Sequence, residues 1–182
     1  MSPARSDARA NRESLVTAAA DLFAEAGAAV PLDAIARRAG VSIATLYRHF
    51  PSREALVVEV YRSEIERLGE TDEVLAHSAT AAEAMGVWTR RFLAYADTKQ
   101  VLGEVIHALP DDERPSARAT VTGAIDRLLD AGRRDGSLRA GVDADDVLLL
   151  FSGVWTLPDD DRRRARVDRL AAFVLDGLRV DG

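Results

Sequence analysis

The chain has 182 residues, 47% of them hydrophobic, enough for one sizeable core or two coupled smaller ones; only 5% are aromatic, so the core must be mostly Ala, Leu and Val. Cysteine is absent, which excludes disulfides, thiolate metal sites and cysteine nucleophiles, and no basic-then-apolar leader opens at Met1 to Arg12, so a cytoplasmic protein is expected. The formal net charge of −6 argues against nucleic acid as a partner of the whole chain, yet residues 1–53 hold seven Arg against five acids, and the negative excess lies beyond them, so any phosphate contact belongs at the N-terminal end.

Helical periodicity runs through nearly all of the chain, with no strand-type alternation and no repeat. The longest apolar run, 147–151, is far too short to span a membrane. A first helix is expected from about Ala8 to Ala26, with Leu15, Ala18, Ala19, Leu22 and Phe23 on one stripe and Gly27 as its stop. A short second helix covers about Leu32 to Ala39, with Pro31 near its start and Ile35 and Ala36 inward. Gly40 turns the chain, Ser42 caps a third helix ending near Phe50, and Pro51 and Ser52 open a fourth that continues to about Leu68. Residues 69–80 are polar and broken and mark the domain boundary, between 1–68 and 69–182. Further helices are expected at about 81–96, 98–109, 114–134, 143–157 and 160–178.

Two short helices joined by a glycine turn form a helix-turn-helix. On the third helix Leu46 and Phe50 share the inward face, which leaves Ala44 and Arg48 opposite, flanked by Thr45 and Tyr47. Ala44 is small enough to let a backbone approach. Thr45, Tyr47 and His49 can donate to phosphate oxygens, Arg48 can reach a guanine edge or a phosphate, and Ile43 can touch a thymine methyl. Arg53 would stand beside the DNA backbone at the start of the fourth helix. Arg5, Arg9 and Arg12 are expected to form a loose arm able to reach an adjacent groove.

The segment DAIARRAGVSIATLYRHFPSREALVVEVY, together with LVTAAADLFAEAG before it, resembles the signature of the TetR family of bacterial transcriptional regulators over about Leu15 to Tyr61. The resemblance implies an all-α homodimer. An N-terminal three-helix DNA-binding domain would be joined by a fourth helix to a C-terminal helical domain for ligand binding and dimerisation. It also implies that the third helix enters the major groove of double-stranded operator DNA, and by position it assigns DNA contacts to Ser42, Ile43, Ala44, Thr45, Tyr47, His49 and Arg53. Release of repression by a small-molecule effector is the family default. Two positions depart from the pattern. Pro31 stands where a capping Thr or Ser is usual, which leaves an early N–H of the second helix without a side-chain partner. Asp33 occupies a place where some members have a basic base-reading residue, so no DNA contact is carried over to it.

The stretch VDADDVLLLFSGVW is apolar nearly all round from Val147 to Trp155 and must be covered on more than one side, and Leu170, Ala171, Val174 and Leu178 stripe the last helix. Either a twin subunit covers them in a four-helix interface or one subunit buries them alone. Met85, Trp88, Phe92 and Tyr95 share a stripe and are the best candidates for an effector pocket, bordered by Arg91, with His107 in the next helix and Trp155 able to close the far side; plain core packing is the alternative. No metal and no cofactor are expected. His49, His77 and His107 have no metal-ligand spacing, and no GxSxG or phosphate-binding glycine loop occurs, so catalysis is not expected. A helical interaction module without DNA binding, or a regulator without a small-molecule ligand, remains as the alternative to an effector-controlled repressor.

Overall fold

The structure, a computed structural model, describes residues 3–27, 29–110, 114–158 and 160–180; the side chains of Arg5 and Trp155 lie outside the described residues. The described residues form nine α-helices: α1 (Pro3–Ala26), α2 (Leu32–Arg38), α3 (Ile43–His49), α4 (Arg53–Gly69), α5 (Thr71–Ala76), α6 (Ala81–His107), α7 (Arg118–Asp135), α8 (Ala144–Ser152) and α9 (Arg163–Leu178). A 3-10 turn, Gly153–Thr156, follows α8, and Leu138 and Arg179 form an isolated antiparallel bridge. The expected all-α class and the N-terminal helix-turn-helix are present. Two compact units divide the chain: one holds residues 1–64 with 97–115, the other 65–96 with 116–182.

In the first unit, Leu15, Ala18, Ala19 and Phe23 bury the inner face of α1, and Ile35, Ala36, Leu46, Phe50, Leu56, Val57 and Val60 supply the faces around it. The helix-turn-helix is built by local chain chemistry. Pro31 sits at the N-cap of α2 without a side-chain cap, as the sequence anticipates, and its carbonyl accepts from the amides of Ala34 (3.1 Å) and Ile35 (3.3 Å). At the other end Val41 N–H donates to the Ala36 carbonyl (3.0 Å) and Gly40 N–H to that of Arg37 (3.1 Å), the bonding pattern that closes a helix on a left-handed residue. Gly40 takes that place with φ 71°, where a Cβ would be strained. Ser42 Oγ then accepts from Thr45 N–H (3.1 Å) and starts α3, and Ser52 Oγ accepts from Ala55 N–H (3.1 Å) and starts α4.

Three expectations change. The first helix begins at Pro3, not near Ala8, because proline is well placed in a first turn and nothing in 3–7 breaks a helix. Part of the segment read as polar and broken is helical: Thr71 and Val74 turn inward and form α5. Residues 81–107 form one helix of 27 residues rather than two. The new helix expected to open at Thr98 does not form, because neither Asp97 nor Thr98 bars a helix and each lowers propensity by less than about 1 kcal/mol.

In the second unit α7 buries Val121, Ala124, Ile125, Leu128 and Leu129 along one stripe. At its C-terminal end Asp135 Oδ2 accepts from Ala81 N–H (2.7 Å), and just beyond it Ser137 Oγ accepts from Ala82 N–H (3.0 Å), so residues that close one helix cap the start of another. Hydrogen bonds from Ser137 and from the Ala81 amide hold the Asp135 carboxyl below the usual carboxylate range. Its contribution to stability is therefore present above that ordinary range and is lost as pH falls through the depressed value. Gly132 lies against Leu138 so closely that an added Cβ would fall within the Leu138 side chain, whereas a Cβ at Gly86 meets nothing within 4 Å. Gly132→Ala should lower stability by about 1–3 kcal/mol through overpacking, while Gly86→Ala should raise it by up to about 1 kcal/mol through helix propensity. Thermal melting of the two variants checks both signs.

Candidate nucleic-acid interface

Helix α3 offers one face to the core and another to solvent. Leu46 and Phe50 are fully buried, whereas Ile43 is 41% and Tyr47 51% exposed, and Ala44 and Arg48 are also exposed. The apolar and polar positions thus divide as helical spacing anticipates. Large apolar and aromatic side chains left open on a short helix, beside a cation, mark a surface meant for a partner.

The polar side chains on this face are ordered by one another. Ser42 Oγ and Thr45 Oγ1 are 2.9 Å apart, and Arg48 Nη2 donates to Thr45 Oγ1 at 3.0 Å. The chain Ser42–Thr45–Arg48 runs along one edge of α3 and presets the guanidinium, so Arg48 loses less freedom on meeting a base edge or a phosphate. Ser42, a DNA contact implied by the resemblance, thus caps the helix, and Thr45, expected to donate to phosphate, holds Arg48. Tyr47 projects without such a tie to the edge. His49 is half-buried, its ring tilted at 6.4 Å from that of Phe50.

Arg53 is half-buried, and its Nη2 donates to the Val30 carbonyl at 2.7 Å, which ties the start of α4 to the loop before α2. This bond gives Arg53 an internal role. Arg37 pairs with Asp33 (3.0 Å) and Arg38 with Glu25 (2.9 Å), both on the surface, where such pairs are weak. Asp33 thus pairs with a neighbouring arginine of the same helix.

The loose arm is not observed. Arg9 and Arg12 lie within α1, Arg9 pairs with Glu13 (2.7 Å), and Arg12 turns inward against α3 and α4. A signal for this was present: the helix expected from about Ala8 already includes Arg12, which falls on the stripe of Leu15, Ala19 and Phe23 and so belongs to the inward side.

In the second unit Met85, Trp88, Phe92 and Tyr95 come together and are all buried. The Trp88 and Phe92 rings stack at 5.5 Å and 20°, Phe92 lies 6.1 Å from Tyr95 and 5.7 Å from Phe151, and Trp88 Nε1 donates to the Leu68 carbonyl at 2.9 Å. Phe151 is the member that sequence reasoning missed; only packing shows that α8 delivers it here. Arg91 is half-buried on the same helix, and His107 is exposed at the end of α6 in the first unit.

Residues 15–60 match the model of the bacterial regulatory proteins of the TetR family, and residues 80–180 match that of the C-terminal domain of SbtR-like transcriptional regulators. Among solved structures, a TetR transcriptional regulator from Streptomyces coelicolor is 35% identical, with 94% of this chain and 99% of that one covered and a TM-score of 0.84. A TetR regulatory protein from Mycobacterium vanbaalenii is 34% identical over 98% of this chain and 100% of its own, with a TM-score of 0.78. A search of curated proteins finds no match. The capped α3 with its open polar face and the agreement along nearly the whole chain lead to one conclusion: the protein belongs to the TetR family and is a DNA-binding transcriptional regulator, not an enzyme.

Proposed function

We propose that the protein is a repressor that binds a palindromic operator as a homodimer and leaves it when a small-molecule effector binds. The observation that carries the reading is the solvent-facing edge of α3, where Ile43, Ala44, Tyr47 and a preset Arg48 stand clear of the core. Ser42, Thr45, His49 and Arg53 complete the contact set from the cap, the flank and the start of α4. Residues 1–68 serve as the DNA-reading domain and 69–182 as the effector and dimer domain. Regulation of promoters places the protein in the cytoplasm; among the described residues no helix is long and apolar enough to cross a membrane.

Support for the dimer comes from α8 and α9. Val147, Leu148 and Phe151 are buried within the subunit, but Leu149 and Leu150 are 66% and 61% exposed, and Leu170 and Phe173 on α9 are also open. A second copy of the same two helices would cover them. Support for the effector site comes from the aromatic cluster around Trp88. Its indole holds the last turn of α4 at Leu68, and α4 begins at the DNA-reading helices, so a ligand that reorders the cluster would shift α4. Such a ligand acts only through its differential affinity for the two packings, typically about 1–3 kcal/mol. The complete burial of Met85, Trp88, Phe92 and Tyr95 favours a second reading, a regulator with no small-molecule ligand.

Selection of bound fragments from a random or genomic DNA pool tests the main reading. A palindrome with half-sites about one helical turn apart is expected. Recovery of asymmetric or unrelated sequences would defeat it.

A further inference from the structure

We infer that Arg12 is the positioning residue of the DNA-reading helix, acting from inside the first unit and not as a DNA contact. The inference rests on the reading of α3 as the helix that enters the groove. Its motive is the brevity of α3. Seven residues, about two turns, do not hold a helix or its direction alone. Leu46 and Phe50 anchor α3 through apolar contacts, which fix depth better than rotation. The Ser42 cap is internal to the segment and ties it to no other helix.

Arg12 supplies the missing tie at the opposite end. Its Nη1 donates to the carbonyl of His49, the last residue of α3 (3.3 Å), and its Nη2 meets Glu59 Oε1 on α4 (2.9 Å). The guanidinium carbon stands 4.4 Å from the centre of the Phe50 ring. One planar cation thus uses its edge for a carbonyl and a carboxylate and its face for an aromatic ring, a combination that a lysine cannot reproduce. A cation at a helix C-terminus also suits the carbonyl charge that collects there.

The strength of these contacts decides what they are for. The ion pair is partly exposed, with 39% of the Arg12 side chain and 29% of that of Glu59 open to solvent, and pairs of that kind add little to stability. Their effect is to set direction. A small rotation of α3 moves Tyr47 and Arg48 off a base edge while leaving the core intact. The same contacts join α4 to the exit of α3, and the Arg53 bond to Val30 joins α4 to the entry of α2. Movement of α4 therefore reaches both ends of the helix-turn-helix.

The experiment uses the full chain, its selected operator, and a scrambled duplex of equal length. Arg12→Ala and Glu59→Ala should each weaken operator binding about ten-fold, leave binding to the scrambled duplex within about two-fold, and give no further loss when combined. Arg12→Lys should recover only part of the loss. A direct phosphate contact makes the opposite forecast: Glu59→Ala would free the cation and tighten binding, and Arg12→Lys would bind as the parent does. Either result would overturn the inference. Amide hydrogen exchange without DNA provides an arm that needs no operator. Exchange in residues 43–50 should quicken about ten-fold in Arg12→Ala and Glu59→Ala while the amides of α7 keep their protection. Unchanged exchange in α3 would refute the clasp itself, whereas faster exchange in a protein that binds no duplex would leave the clasp standing and remove the DNA reading.

Discussion

Replacing Tyr47 and Arg48 together with alanine should lower operator affinity by about a hundred- to a thousand-fold, at about 1–3 kcal/mol for each lost contact. Both side chains are exposed on α3, Tyr47 to 51%, so neither supports the core. The Arg48 bond to Thr45 is an exposed one, and alanine is the better helix former at both positions. Melting should therefore stay within about 0.5 kcal/mol of the parent. The slope of log affinity against log salt should also fall, by about 0.9 for each phosphate contact removed. Fluorescence anisotropy with a labelled operator at several salt concentrations measures both quantities. An affinity within a few-fold of the parent would place the interface elsewhere. The variant deliberately spares Arg53, because its bond to the Val30 carbonyl makes any loss at that residue ambiguous between contact and scaffold.

A second large effect is expected at the open apolar face of α8 and α9. Leu150 is 61% and Phe173 72% exposed, and burying each side chain in a twin interface is worth about 1.5–3 kcal/mol. Leu150→Glu with Phe173→Glu removes that gain and adds four carboxylates that a two-fold interface would have to desolvate. Sedimentation should show the mass halved. Operator binding should weaken by about a hundred-fold or more, because two linked reading heads lose their mutual effective concentration. The helical signal of the single subunit should survive, since neither side chain is part of its own core and glutamate is a good helix former. A dimer that persists at low micromolar concentration would exclude this face as the interface.

The helix-turn-helix was legible because its chemistry is local. A glycine in the left-handed region, a serine that caps within three residues, and two apolar side chains four apart each act over one or two turns, and sequence spacing states them directly. Helix ends set by context were less legible. Pro3 to Asp7, Thr71 to Ala76 and the join at Asp97 carry weak local preference, so neighbouring turns and burial decide them. The outward face of α3 followed from periodicity, but the mutual bonding of Ser42, Thr45 and Arg48 on that face did not, since spacing puts hydroxyls near a guanidinium without saying which atoms meet.

Charge was the least legible quantity. Seven arginines in residues 1–53 pointed to the N-terminal end as the phosphate-binding end, yet their roles divide only in three dimensions. Arg48 stays on the open face, Arg37 and Arg38 pair on the surface of the helix-turn-helix, and Arg12 and Arg53 turn inward to hold it together. In the same way α8 reads as apolar all round, and folding alone separates Val147 and Phe151, used within the subunit, from Leu149 and Leu150, left open. Periodicity along a chain assigns a side chain to a face, because each residue turns the helix by a constant angle. Which partner that face meets depends on residues dozens of positions away, as Arg12 meets His49 and Glu59, and on the competition among them for a few carbonyls, carboxylates and rings.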